Sequence, residues 1–194
     1  MAKGKVNKVE LEIEGRDVFN ERRPQPTSID LVIHTNNNEH YFVEFKFTEA
    51  EFGGCFLFQN GDCDGENPVL NFEKCWLHHL KCTYWMLMDK HGLLTQQVSS
   101  ESRCPFMDLY QAYRVLLFSL EKKDEFILMY DNRNPAFYVE TASGPRGLYA
   151  RFLNYLPQVV RSKCHLISTQ DVFACISAKL TDQWVTELRE KYFG

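Results

Sequence analysis

Apolar and polar positions alternate with a period of two along three stretches of the chain and follow a helical period along others. Val9, Leu11 and Ile13 interleave with Glu10, Glu12 and Glu14, which predicts a strand over 9–14 that Gly15 ends, although Val6, Val9 and Ile13 also share a helical face. Residues 29–34 and 41–48 are rich in β-branched and aromatic side chains, and Thr35-Asn36-Asn37-Asn38-Glu39 between them is turn material, so the pair predicts a hairpin. Residues 22–27 are an extended lead-in, because each proline biases the residue before it away from helix. Helices are predicted over 72–90, stopped by Gly92, and over 105–123, opened by Pro105. Further helices are expected over 147–156, 171–179 and 182–192, the last capped by Thr181 or Asp182. Short strands are expected at 126–130 and 164–168, with 137–139 a return strand after the turn at 131–135. This order is that of an α/β (α+β) domain.

Folding the hairpin about Asn37 fixes its register. Ile29 then faces Phe45, Leu31 faces Val43 and Ile33 faces Tyr41, which makes one continuous apolar face. On the other face Asp30 stands opposite Glu44, with Cβ atoms roughly 5 Å apart, and Lys46 follows two residues on. Like charges directly opposite are destabilising, and a divalent cation between them reverses the sign. The competing reading is the charged, solvated outer face of an antiparallel sheet. In the helix over 105–123, Asp108, Gln111 and Arg114 are spaced by three and share a polar stripe beside Phe106, Leu109, Tyr113, Leu116, Leu117 and Leu120. That stripe also reads as an ordinary solvated face.

The chain has 194 residues, 44% of them hydrophobic and 25% charged, which suits one domain with a full core. Its net charge of −4 argues against a non-specific polyanion binder, although basic residues cluster at Lys3/Lys5/Lys8, at Arg22/Arg23, and at Arg146/Arg151 with Arg161/Lys163. No apolar run approaches the ~20 residues of a membrane span, and the start lacks the apolar stretch of a signal peptide, so the expected location is cytoplasmic with no membrane partner. Seven cysteines without a secretory signal do not suggest a disulfide framework. Cys75, His78, His79 and Cys82 share one predicted helix, but Cys75 and Cys82 are about 10 Å apart along its axis, too far for one zinc at ~2.3 Å. A zinc site would have to pair one of them with Cys55, Cys63 or Cys104. Buried small hydrophobes are the expected role of the cysteines.

Together, Ile29-Asp30, Glu44-Phe45-Lys46 and a following helix with Gln111 and Arg114 resemble the PD-(D/E)xK nuclease superfamily, over residues 29 to about 118. The resemblance implies a restriction-endonuclease-like mixed central sheet flanked by helices, one domain over 1–194 with 164–194 a strand-helix extension. It implies Mg²⁺, or Mn²⁺ in its place, bound by Asp30, Glu44 and the carbonyl of Phe45. Lys46 would orient or help deprotonate the attacking water, and Gln111 and Arg114 would steady the site or the scissile phosphate. The implied substrate is DNA, with RNA not excluded, and a homodimer or a partner protein is compatible. Members commonly carry another acidic residue on a helix before the first strand. Glu10, Glu12 and Glu14 are the candidates here, and the choice among them is open. Without that helix the alternative is an inactive nuclease-like fold that binds nucleic acid or a protein partner. Members with an iron–sulfur cluster take one cysteine from upstream of the metal motif. This chain has none before Cys55, so neither a cluster nor zinc is expected.

Overall fold

The alternating segments resolve as strands of one mixed sheet in a computed structural model that describes residues 4–21 and 26–193. The sheet contains β1 (Val6–Gly15), β2 (Thr27–Thr35), β3 (His40–Lys46), β4 (Glu125–Tyr130) and β5 (Cys164–Ser168), in the order β1-β2-β3-β4-β5. β1, β2 and β3 are antiparallel neighbours, whereas β3–β4 and β4–β5 are parallel. The helices are α1 (Arg16–Phe19), α2 (Phe56–Gln59), α3 (Trp76–His79), α4 (Tyr84–Lys90), α5 (Gln96–Ser100) and α6 (Tyr110–Lys122). After β4 come α7 (Leu148–Tyr155), α8 (Gln158–Arg161), α9 (Thr169–Ser177) and α10 (Gln183–Tyr192). Among the described residues no helix is long and apolar enough to cross a membrane. The expected lead-in at 22–25, and with it Arg22 and Arg23, lies outside the described residues, as does Lys3.

The mixed α+β architecture and the hairpin register agree with the sequence pattern. Leu31 pairs with Val43 and Ile33 with Tyr41. The antiparallel ladder stops at Leu31–Val43, so the expected Ile29–Phe45 pair does not form. Ile29 is fully buried in the main core, while Leu31, Ile33 and Phe45 join Tyr41, Val43 and Ile127 in a separate cluster. The face expected to be solvated is in fact the one that α6 covers. Val32, Phe42, Phe126 and Leu128 pack there against Tyr113, Val115, Leu116 and Phe118. Both faces of the hairpin carry large apolar residues, so the pattern could not say which one the helix takes.

Helix α6 ends where Lys123 turns left-handed (φ 66°). No side chain caps its start. Its first amides are instead satisfied by the insert between β3 and α6, with Tyr110 N donating to Gly53 O at 3.2 Å and Gln111 N to Phe52 O at 3.1 Å. The helix expected over 72–90 is broken into a 3₁₀ turn (Phe72–Lys74), α3 and α4. Lys81 is left-handed (φ 60°), and Thr83 donates to the carbonyls of Phe19 and Val18, so contacts with α1 replace the helical ladder. The return strand expected at 137–139 reduces to one bridge, Val139 to Arg146. Asp182 stands at the start of α10, without a capping hydrogen bond from its side chain.

Candidate active site

Where the β2–β3 ladder stops, the Asp30 side chain continues it. Asp30 Oδ2 accepts the Phe45 amide at 2.8 Å. The next residue on the helix-covered face of β3 is Glu44 and then Lys46, both buried, with 3% and 5% of their surface exposed. Lys46 Nζ lies 3.0 Å from Glu44 Oε1 and donates to Gln111 Oε1 at 2.8 Å. Asp30, Glu44, Gln111 and Arg114 line a cleft of about 130 Å³ together with Pro26, Thr27, Ser28 and Val115. The fold therefore brings Asp30, Glu44, Gln111 and Arg114 to one cleft, with Lys46 in contact with Glu44 and Gln111. Asp108 is the exception in the polar stripe: it pairs with Arg151 instead. A larger cleft of about 630 Å³ lies among Arg133, Phe173, Arg189 and Phe193, but no paired carboxylates line it.

Burial raises Glu44 most, Lys46 opposes it, and the neighbouring Asp30 pushes further up, so its carboxyl ionises at about 7 instead of 4.5. Between those two pH values the folded chain holds a proton that the unfolded chain has released. Stability therefore falls as pH rises through that window, by about 3 kcal/mol in all. We expect denaturant unfolding without divalent cations to show this slope, and Glu44→Gln to flatten it. An unchanged slope in the variant would assign the titration to another group.

Two hard carboxylates, one of them buried and under-compensated, form a donor set suited to a small divalent cation that keeps several waters. Among the described residues no group of three or more His, Cys, Asp or Glu side chains is arranged to hold a metal ion, so Asp30 and Glu44 are what the protein offers at this cleft. Phe45 stands between them with its amide already used by Asp30.

Arg114 is more constrained than a free phosphate ligand. Its Nη2 lies 3.1 Å from Glu21 Oε1, its Nε donates to Thr27 Oγ1 at 3.0 Å, and its guanidinium sits 5.0 Å from the centre of the Tyr110 ring. Glu21 is 8% exposed and also accepts the Thr27 amide at 2.6 Å and the Tyr84 hydroxyl. Glu21 thus supplies an acidic group at this end of the fold that the sequence pattern did not single out. The earlier candidates lie on β1: Glu10 pairs with Lys8 and His34, Glu14 pairs with Arg16, and Glu12 is exposed. The one local signal for Glu21 was its position directly before the proline-bracketed entry to β2.

The five-stranded mixed sheet flanked by helices is compatible with a restriction-endonuclease-like fold. Over residues 1–193 the chain matches the family described as Restriction Endonuclease associating with ARP, and it belongs to that family. Family membership gives it a nuclease-like role. No curated protein and no solved structure matches it.

Proposed function

We propose that this protein is a PD-(D/E)xK-type nuclease that hydrolyses phosphodiester bonds in DNA with Mg²⁺ as cofactor. The observation that carries the reading is the convergence of Asp30, Glu44 and Gln111, from two strands and a helix, on one cleft, with Lys46 bonded to both Glu44 and Gln111. Asp30 and Glu44 would hold the cation, with the Phe45 carbonyl as a further oxygen donor. Bound there, it supplies Lewis-acid chemistry, polarising a phosphoryl oxygen and easing loss of a proton from the attacking water. Lys46, held by Glu44 and Gln111, presents its ammonium to the water and to the charge that develops on phosphate. Gln111 fixes the Lys46 rotamer, and Arg114 acts as a positioning residue whose charge favours the ionised form of Glu44. The family's name also supports a protein partner, ARP, for this chain.

The test is cleavage of plasmid and linear DNA by the purified chain, with and without partner. Activity should require Mg²⁺ or Mn²⁺ and disappear with EDTA. Cleavage that persists in EDTA would exclude the metal mechanism. DNA binding with no cleavage under any metal or partner condition would favour the binding-only reading.

A further inference from the structure

The cleft of about 630 Å³ between α9 and α10 takes no part in the candidate active site. Along α9, Ala174, Ser177 and Ala178 fall on one face at spacings of three and four, and their small side chains leave the space open. The apolar floor is Phe173 and Phe193, whose rings stack with centroids 4.4 Å apart and planes 8° from parallel. Arg133 clips the end of α10 to the turn after β4. Its Nη2 donates to Asp131 Oδ2 at 2.6 Å and its Nη1 to the Tyr192 carbonyl at 3.1 Å.

Two groups that line this cleft lack partners. Among the described residues no acidic side chain lines it and none pairs with the exposed Arg189. Ser177 Oγ is buried, and among the described residues it has no hydrogen-bond partner. A helical serine often returns its hydroxyl to the carbonyl one turn back, and one left buried and unbonded is destabilising. A free cation, an orphaned hydroxyl and an apolar floor complement an anion joined to a flat apolar body with a polar edge. A nucleotide has those three parts. The volume is also that of a small-molecule site, roughly 300–1,000 Å³.

The position of the cleft favours a nucleotide within a strand. β3 and β4 are parallel with Lys46 beside Tyr130, so the turn that carries Arg133 leaves the sheet next to Lys46. Asp131 N donates to Lys46 O at 3.0 Å, and Asn134 Nδ2 to Phe47 O at 3.0 Å and Glu49 O at 2.8 Å. Gln170, at the start of α9, donates to Asp131 Oδ1 at 2.7 Å. These bonds fix the cleft to the strand end that bears Lys46.

We propose that this cleft takes an unstacked nucleotide of a nucleic-acid strand, with its phosphate on Arg189, its base against the Phe173–Phe193 floor and a polar base atom on Ser177. The strand assignment rests on the nuclease reading, whereas the fit to a nucleotide does not. The protein then prefers single strands and overhangs to uninterrupted duplex, because a paired base must first leave its stack.

The experiment is fluorescence anisotropy of a short labelled single strand with the full chain in EDTA, which keeps metal-dependent steps out of the readout. Deoxythymidine monophosphate and inorganic phosphate are the competitors, and a blunt duplex of the same sequence is the comparison. Arg189→Ala and Ala174→Leu, which fills the cleft from an exposed helix position, should each weaken single-strand binding about ten-fold at an unchanged melting temperature. Ser177→Ala should bind several-fold more weakly yet melt at a higher temperature, because it removes the unbonded hydroxyl. The mononucleotide should compete and inorganic phosphate should not. Equal competition by phosphate, unchanged binding in Arg189→Ala and Ala174→Leu, or duplex bound as tightly as the single strand overturns the proposal. Mononucleotide binding without strand binding overturns the strand assignment. Strand binding that these variants weaken, in a chain that cleaves under no condition, supports the cleft and removes only the nuclease reading. Cleavage with strand binding that they leave intact removes only the cleft.

Discussion

Glu44→Gln is expected to lower Mg²⁺-dependent DNA cleavage by about a thousand-fold while leaving the fold in place. The substitution keeps shape and removes only the charge. It takes away one of two carboxylates at the cleft and the nearer carboxylate partner of the Lys46 ammonium, which keeps its bond to Gln111 Oε1 and its 3.9 Å approach to Glu49. Asp30→Asn should cost a similar factor, although its amide oxygen can still accept the Phe45 N–H. Lys46→Met should do the same without weakening cation binding. The three losses are not expected to add, because the groups act on one reacting centre. Cation titration separates the roles, since Asp30→Asn and Glu44→Gln should weaken Mg²⁺ binding and Lys46→Met should not. Glu44 must be ionised to hold a cation, so wild-type cleavage should rise as pH passes about 7. Cleavage that survives in all three variants would reject this site.

The hairpin was legible because a strand's period of two admits only one register that aligns its apolar residues, and the polar turn at Thr35–Glu39 fixed where it folds. Its consequence was less legible. Val32 and Phe42 compete with Leu31 and Val43 for the core, and only α6 decides between them. A pattern that read equally as a solvated charge pair became a buried one. The long helix expected over 72–90 failed because Thr83 bonds to Phe19 and Val18, a contact that no local window contains. Gln111 was visible as a polar position on an amphipathic helix, but its aim at Lys46 depends on the Phe52 and Gly53 carbonyls that set where α6 begins.

Glu21 shows the same limit most sharply, and its replacement should have the largest effect on stability. Glu21→Ala leaves the Arg114 guanidinium, 15% exposed in its side chain, without its carboxylate partner. Breaking a buried pair in this way costs about 3–5 kcal/mol, because the remaining charge stays desolvated. Arg114→Met should cost a comparable amount by stranding Glu21, which would then rely on Thr27 and the Tyr84 hydroxyl. Combining Arg114→Met with Glu21→Gln removes both charges and should recover part of the loss, giving a coupling of about 1–3 kcal/mol in urea unfolding of the four proteins. Single variants that each cost under about 1 kcal/mol would contradict a desolvated pair. Arg114 also bears on the chemistry, since its charge favours ionised Glu44 across the cleft. Arg114→Met should therefore move the rise in cleavage to higher pH, and Arg114→Lys should restore the charge without the fork that holds Glu21 and Thr27 together. A purely structural Arg114 would lower the amount of active protein and leave the pH profile where it was. The profile separates the two roles even when stability falls in both variants, because it follows the charge that faces Glu44 and not the packing around it.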